Sequence, residues 1–125
     1  MALKFISDQM SALEIPYEFE EWTSDIVYPY FVGEYVEEPI VTEDGAENAT
    51  LILTGFHKGG KYIDLEAVKN KLKKHFHPVH GYRSRTDSGA SIAVFYENAD
   101  YIPTGEADLK KIQINFKIKQ WKGEF

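Results

Sequence analysis

Cysteine is absent from this 125-residue chain, which excludes disulfides, thiolate nucleophiles and cysteine-bearing zinc sites and fits a reducing compartment. The opening residues also lack the uninterrupted apolar core of a secretory signal peptide. No apolar run approaches the roughly 18 to 20 residues that cross a bilayer. We therefore expect a protein that is made and kept in a cytoplasm.

Basic residues are nearly absent from the first half of the chain. Between Lys4 and Lys58 there are twelve carboxylates and no Lys or Arg. Residues 1–57 therefore carry a net charge of −11, and residues 58–125 carry +5, which together give the −6 of the whole chain. This balance argues against a general affinity for nucleic acid, because phosphate binding needs concentrated Lys and Arg.

The segregation of charge has two interpretations. Copies of one molecule that pair unlike surfaces head to tail would gain steering and register from it. Alternatively, acidic strands fold back onto basic ones within one domain, and no partner is involved. The sequence leaves both interpretations open.

Length and composition predict one domain over residues 1–125. Hydrophobic residues make up 43% of the chain and aromatic residues 14%. A chain of this size can bury about two-thirds of its unfolded surface. No repeat, low-complexity segment or linker divides it.

Two segments have helical spacing. The first helix ends before Pro16, and its apolar stripe comprises Leu3, Ile6, Met10 and Leu13. The second begins at an N-cap, Asp64, and ends at Pro78. Its apolar face comprises Leu65, Val68, Leu72 and Phe76.

Strand patterns occupy most of the remaining chain, at residues 17–22, 28–36, 49–56, 81–84, 91–96 and 111–119. The third has a continuous apolar centre and is expected inside the sheet, covered on both faces. The last alternates most cleanly, with one face formed by Ile112, Ile114, Phe116 and Ile118. The element order predicts an α+β domain in which two helices pack against a largely antiparallel, or mixed, sheet.

Residues 55–61 match the G-x-x-x-x-G-K part of a phosphate-binding loop and lie between a predicted strand and a helix. Tyr62, however, stands where such a loop needs a Ser or Thr to hold magnesium. The carboxylate of Asp64 also occupies the helix start where a phosphate would bind. The prediction is a hydrated strand-to-helix connection without a nucleotide.

Four histidines are candidate metal ligands: His57, His75, His77 and His80. Pro78 interrupts any helical spacing among the last three, so His75 and His77 would project in different directions. We expect surface histidines near a helix end, with no metal, cofactor or catalytic residue. A small metal-dependent hydrolase is the alternative from another functional class.

Two surfaces are candidates for contact with another protein. One is an aromatic band, for which packing within the sheet is an equal explanation, formed by Trp22, Tyr28, Tyr30, Phe31 and Tyr35. The other is the polar face of the last strand, for which an ordinary solvated face is the alternative. The residues proposed for self-assembly are Glu34, Glu37, Glu38, Lys117, Lys119 and Trp121.

Several phrases of the sequence carry a resemblance to a known family. They are YPYFVGEY at 28–35, TEDG at 42–45, LILTGF at 51–56, a capped Leu-rich helix, and AVFYENADYIPTGEADLKKIQINFKIKQW at 93–121. In layout and phrase, over nearly its whole length, the chain resembles the small tail-terminator or tail-completion proteins of prophages in Gram-positive bacteria.

The resemblance implies an α+β tail-terminator-like fold and a structural role without cofactor or active site. It implies a homo-oligomeric ring, commonly hexameric, that caps the head-proximal end of the tail tube and docks to the head connector. Assembly would take place in the bacterial cytoplasm, and the protein would end in the virion tail. DNA would pass through the ring without specific binding, and no membrane is involved. A head-tail connector or adaptor is the alternative.

Overall fold

The computed structural model describes residues 3–19, 28–37, 47–58, 62–85, 91–106 and 108–121. Its elements are two helices, α1 (Leu3–Ala12) and α2 (Tyr62–His75), and six strands, β1 (Tyr17–Phe19), β2 (Tyr30–Glu37), β3 (Glu47–Lys58), β4 (Tyr82–Arg85), β5 (Ser91–Ile102) and β6 (Leu109–Trp121). The chain thus has the predicted order of a helix, three strands, a second helix and further strands; two or three of these were expected, and the described residues contain three.

The six strands form one mixed sheet in the order β1-β2-β3-β6-β5-β4. Only β1 and β2 run parallel to each other, and the other four neighbouring pairs are antiparallel. An α+β fold with a mixed, largely antiparallel sheet was predicted, and this part of the prediction is confirmed. The order places the two halves of the chain at different edges of the sheet, since β1 and β2 form one edge and β4 and β5 the other.

The core lies between the two helices and one face of the sheet. On β6, every second side chain from Ile112 to Ile118 is fully buried, as the alternation of the sequence predicted. Apolar residues of β3 and β5 pair with these positions and belong to the same cluster. The pleat explains this pattern, because side chains two apart point to the same side of a strand.

Helix α1 packs Ile6 and Met10 into the core, as its stripe predicted. The helix ends in a Schellman-type turn, in which the N–H of Ile15 donates to the carbonyl of Met10 at 2.9 Å. Glu14 has a positive φ of 59° and takes the left-handed position that glycine usually fills. Ile15 is itself buried, so the turn also adds an apolar contact to the core.

Helix α2 presents Leu65 and Leu72 to the core, and Phe76 follows directly after the helix; all three are fully buried. The ring of Phe76 meets that of Phe116 edge to face, with centroids 5.4 Å apart. One detail of the prediction is wrong: the helix begins at Tyr62, so Asp64 lies in its first turn and is not the N-cap. A carboxylate in the first turn still interacts favourably with the helix dipole.

Several predicted boundaries shift. Strand β5 continues to Ile102, beyond the predicted end at Tyr96, through an irregularity between Tyr96 and Asn98. That irregularity interrupts the alternation on which the prediction rested. Strand β1 is described to Phe19, and the rest of the predicted strand 17–22 lies outside the described residues.

Strand β3 lies inside the sheet, as predicted, but only one of its faces is fully covered. Leu51 and Leu53 face the helices and are buried, whereas Thr50, Ile52 and Thr54 on the opposite face are half-buried. The apolar run therefore marked a central strand of a one-sided sheet.

Candidate assembly surface

The face of the sheet that points away from the helices is called the outer face here. Because Ile114, Phe116 and Ile118 point into the core, Lys117 and Lys119 point to the outer face. Trp121 follows in the same alternation, and Glu34 lies on this face because its neighbour Gly33 faces the core. Four of the six residues proposed for self-assembly thus share one surface.

Strand register adds two arginines to the predicted lysines. Lys119 pairs with Ala93, which pairs with Arg83, and these three side chains form one row on the outer face. Ala93 is fully buried although it faces outward. Its small side chain lies between two long ones, whose aliphatic stems cover apolar surface while their charged ends stay in water.

The next row toward the end of the strands repeats this arrangement. Trp121 pairs with Ser91, which pairs with Arg85. In the other direction Lys117 pairs with Phe95, and the guanidinium carbon of Arg83 lies 5.7 Å from the centre of the Phe95 ring. The cationic and aromatic residues of these rows, here called the basic end, are Arg83, Arg85, Phe95, Lys117, Lys119 and Trp121.

A groove of about 580 Å³ opens beside β4. Its lining consists of Arg83, Ser84, Arg85, Ser91, Ile92 and Trp121. Two guanidinium groups, two hydroxyl groups and an indole thus surround one open space, and the described part of its lining contains no carboxylate. Such a groove suits an anionic group that can accept bidentate hydrogen bonds from arginine.

Sequence reasoning missed Arg83 and Arg85. They belong to a four-residue strand that pairs with the next strand, β5, and the pairing of β5 with β6 brings them beside Lys119 and Trp121. The available signal was the Arg-Ser-Arg spacing, which places both arginines on one face of a strand.

Two acidic side chains of the outer face lie toward the other edge of the sheet. Glu18 on β1 is opposite Val32, and Glu34 lies two residues further along β2, so both carboxylates belong to the outer face. They are here called the acidic end. Four strand spacings, about 19 Å along the sheet, separate β2 from β4. On β3, the residue opposite Glu34 is Ile52 and the residue opposite Lys117 is Thr50, so both are uncharged.

Glu37 does not join this surface. It lies on the helix side of β2, where burial first, and then the carboxylates of Glu37 and Glu47, raise the pKa of the Tyr35 hydroxyl. Alternation along the strand causes the separation, because Glu34 and Glu37 are an odd number of residues apart. Glu38, the sixth proposed residue, lies outside the described residues.

The predicted aromatic band divides between the core and the outer face. Phe31 is fully buried, and Tyr35 packs against the core. Tyr30 points outward and stacks on Phe56 at 5.1 Å between ring centres, and the Tyr28 ring is centred 5.6 Å from that of Tyr30. Trp22 lies outside the described residues. Packing into the core thus accounts for two of the four described residues of the band.

The four histidines do not form one group. His57, at the end of β3, is 3.0 Å from the Asp64 carboxylate, whereas His75 is at the other end of α2, about 17 Å from Asp64 along the helix. The rings of His77 and His80 stack on each other at 4.7 Å. Within the part of the chain that the structure describes, no three His, Asp or Glu side chains form a group able to hold a metal ion.

The phosphate-loop match has a packing explanation at its first residue. The ring of Phe31 covers Gly55 so closely that a side chain there would collide with it. Asp64, at the start of α2, is engaged with His57. Gly59, Gly60 and Lys61 lie outside the described residues.

Comparison with models of known protein families finds no match, and neither does comparison with curated protein sequences. Among the described residues, neither helix has the length and apolar character that spanning a membrane requires. The conclusions below therefore depend on the outer face itself and on the resemblance of the sequence.

Proposed function

We propose that the chain is a structural assembly protein that acts as a phage tail terminator. Copies join head to tail into a ring, commonly of six subunits in the family it resembles, at the head-proximal end of a tail tube. The ring catalyses no reaction and needs no cofactor. Its partners are further copies of the chain, the tail tube protein and the head connector.

The observation that carries this proposal is the position of unlike charges on different sides of the outer face. The acidic end lies on β1 and β2 at one edge, and the basic end extends from the central strand β6 through β5 to β4 at the other edge. A contact between unlike surfaces is heterologous, and repeated heterologous contacts close into a ring when the rotation between copies allows it. Charge complementarity would also fix which surfaces meet and speed their encounter.

The excess of acid supports the same role. A net charge of −6 gives the subunit a weak affinity for phosphates. A ring whose basic end is covered by the neighbouring copy would expose mainly acidic surface. Such a ring lets DNA pass through its channel without retaining it.

Mass and symmetry in solution test the proposal. Light scattering over a range of concentrations, with negative-stain imaging, should show a closed ring, and purified tail tube protein should acquire a cap at one end. Particles that remain monomeric at every concentration, with tube protein present, would refute it. A chain that binds the head connector but leaves the tube uncapped would instead be an adaptor.

A further inference from the structure

The outer face has an apolar centre on β2 and β3. Five outward side chains of these strands are β-branched and adjoin one another; they are here called the β-branched patch and comprise Val32, Val36, Thr50, Ile52 and Thr54. Both helices pack on the opposite face of the sheet, and no other described helix or strand lies over this one. Val36 is 52% exposed. The free face of an antiparallel sheet is commonly polar, so an apolar patch there marks a surface that binds another molecule.

Two opposite charges adjoin the β-branched patch. Glu34 lies between Val32 and Val36 on β2, and Lys117 on β6 lies opposite Thr50. The Cα atoms of the two charged residues are two strand spacings and two residues apart, about 12 Å in the plane of the sheet. The structure places neither in an ion pair with another described residue. The patch therefore has a carboxylate on one side of its centre and an ammonium group on the other.

We propose that a second copy of the chain covers the β-branched patch, outer face against outer face, so that Glu34 of each copy binds Lys117 of the other about a two-fold axis. Such a contact needs a surface that is complementary to itself. A patch with opposite charges on the two sides of its centre has this property. The contact is isologous and does not depend on the proposed ring, whose contacts are heterologous.

The register of the sheet fixes the geometry of this contact. The midpoint between Glu34 and Lys117 falls on β3, between Thr50 and Ile52. A two-fold axis that passes over this point, parallel to the sheets, exchanges the two charged positions. The strands of the two copies then cross at about 70°, close to the orthogonal class of sheet packing. The β-branched side chains of β3 lie at the centre of the contact.

The same operation brings a second pair of charges together. Asp100 of β5 faces outward, because it pairs with Gln113, which alternates with the buried residues of β6. Projected onto the sheet of the second copy, Asp100 falls about 5 Å from the position of Lys111. Lys111 also faces outward, since it precedes the buried Ile112. Each dimer thus has two pairs of each kind, which fix the crossing angle of the sheets.

Pairing and ring formation exclude each other in one copy. Glu34 belongs to the acidic end and Lys117 to the basic end, so a paired copy has both ends engaged. The pair is therefore a form of the chain that precedes the ring. This consequence, unlike the contact itself, rests on the proposed function.

Cross-linking tests the contact cleanly, because the chain has no cysteine of its own. Thr50→Cys places one thiol near the two-fold axis, where the same thiol of the second copy is within reach of a short bismaleimide. Asn70→Cys is the matched control, since Asn70 is exposed on α2, on the other side of the sheet. At equal protein concentration we expect Thr50→Cys to form covalent dimers at least about tenfold faster than Asn70→Cys.

Exchange of the charges tests the ion pairs. Glu34→Lys and Lys117→Glu should each weaken dimerisation at least about tenfold in sedimentation velocity, because like charges then meet across the axis. The variant with both changes restores opposite charges and should dimerise like the wild-type chain. Glu97→Lys and Lys74→Glu are controls at exposed positions outside the contact and should leave dimerisation unchanged. Circular dichroism and thermal unfolding of every variant separate a lost contact from a lost fold.

The outcomes distinguish this contact from the ring. Faster cross-linking at position 50, together with recovery in the doubly exchanged variant, supports the contact. Equal cross-linking at positions 50 and 70, a dimer that survives a single exchange, or a folded double variant that stays monomeric overturns it. The proposed ring fails by a different result, a chain that leaves tail tube protein uncapped, however the dimer behaves.

Discussion

The ring of Phe31 lies over Gly55 on the neighbouring strand, in the space that a β-carbon on Gly55 would need. Phe31 is fully buried, so the ring is surrounded by other side chains. The glycine therefore admits the Phe31 ring to the core. Gly55 is also the first residue of the segment 55–61 that matches part of a phosphate-binding loop. The packing of the Phe31 ring explains why a glycine is present at this position.

Gly55→Ala should destabilise the fold by about 1 to 3 kcal/mol, because a methyl group would force the Phe31 ring from its position. Urea unfolding followed by circular dichroism measures the change. Combining it with Phe31→Leu should cost less than the sum of the two separate changes, since the smaller side chain relieves the collision. Strict additivity would show that the two residues are not coupled.

Gly105→Ala is the matched comparison for that substitution. Gly105 has a positive φ of 81°, and no neighbouring atom lies within 4 Å of its added β-carbon. The expected cost is about 1 to 2 kcal/mol, from the backbone conformation alone. Replacing Phe31 by Leu should leave this cost unchanged, in contrast to its effect on Gly55→Ala.

Tyr17→Phe should leave the free energy of unfolding unchanged or raise it by up to about 1 kcal/mol. The Tyr17 hydroxyl is buried and has no hydrogen-bond partner within the described part of the chain, so its removal takes away a desolvated polar group without breaking a bond. Chemical unfolding of the two proteins at neutral pH makes the comparison. A clear loss of stability would reveal a partner for the hydroxyl.

The same variant should alter the response to alkali. Burial raises the pKa of Tyr17 from 10 to about 12. Its contribution to stability is therefore complete below pH 10 and is lost as the pH rises toward 12, because the unfolded state releases the proton first. The wild-type chain should lose more stability than Tyr17→Phe over this range, and equal losses would contradict the burial of the hydroxyl.

His75 should make the fold less stable in mild acid. Its ring stacks on Tyr82 at 4.5 Å, its Nε2 lies 2.8 Å from Oε1 of Gln9, and burial lowers its pKa. A histidine whose pKa is lowered by folding stabilises the fold above about pH 6.5, the ordinary pKa of histidine. This contribution is lost as the pH falls through the pKa of the folded state. Unfolding free energies measured from pH 7 to pH 5 should decline.

His75→Phe should flatten that decline, since phenylalanine preserves the stacking and cannot take up a proton. His80→Asn is the control, because His80 is exposed and its replacement should leave the decline as it is in the wild-type chain. A decline that survives in His75→Phe would assign the acid sensitivity to another group.

Lys117→Glu combined with Lys119→Glu should weaken self-association, and by a larger factor at low salt than at high salt. Both lysines lie on the outer face beside the groove, and exposed charges act over a distance that salt shortens from about 30 Å at 0.01 M to 3 Å at 1 M. Sedimentation or light scattering at the two salt concentrations measures the effect. An unchanged oligomer in both would place these lysines outside the contact.

The elements that the sequence predicted best are those with local patterns. Strand β6 alternates over its whole length, and the stripe of α1 repeats every three or four residues, so the buried side of each could be named in advance. Strand β5 could not be followed past Tyr96, because the irregularity there changes which side chains face the core. The same alternation places Lys117 and Lys119 on one face of β6.

Sequence by itself determined that the acidic and basic residues are separated along the chain and that each strand has one apolar side. Both properties follow from the order of residues and from the two-residue repeat of a strand. Tertiary structure alone decided that β6 lies next to β3, which places β1 and β2 at one edge of the sheet and β4 and β5 at the other. The physical reason is that pairing between distant strands depends on the burial of a shared core, and no local pattern records which strands become neighbours.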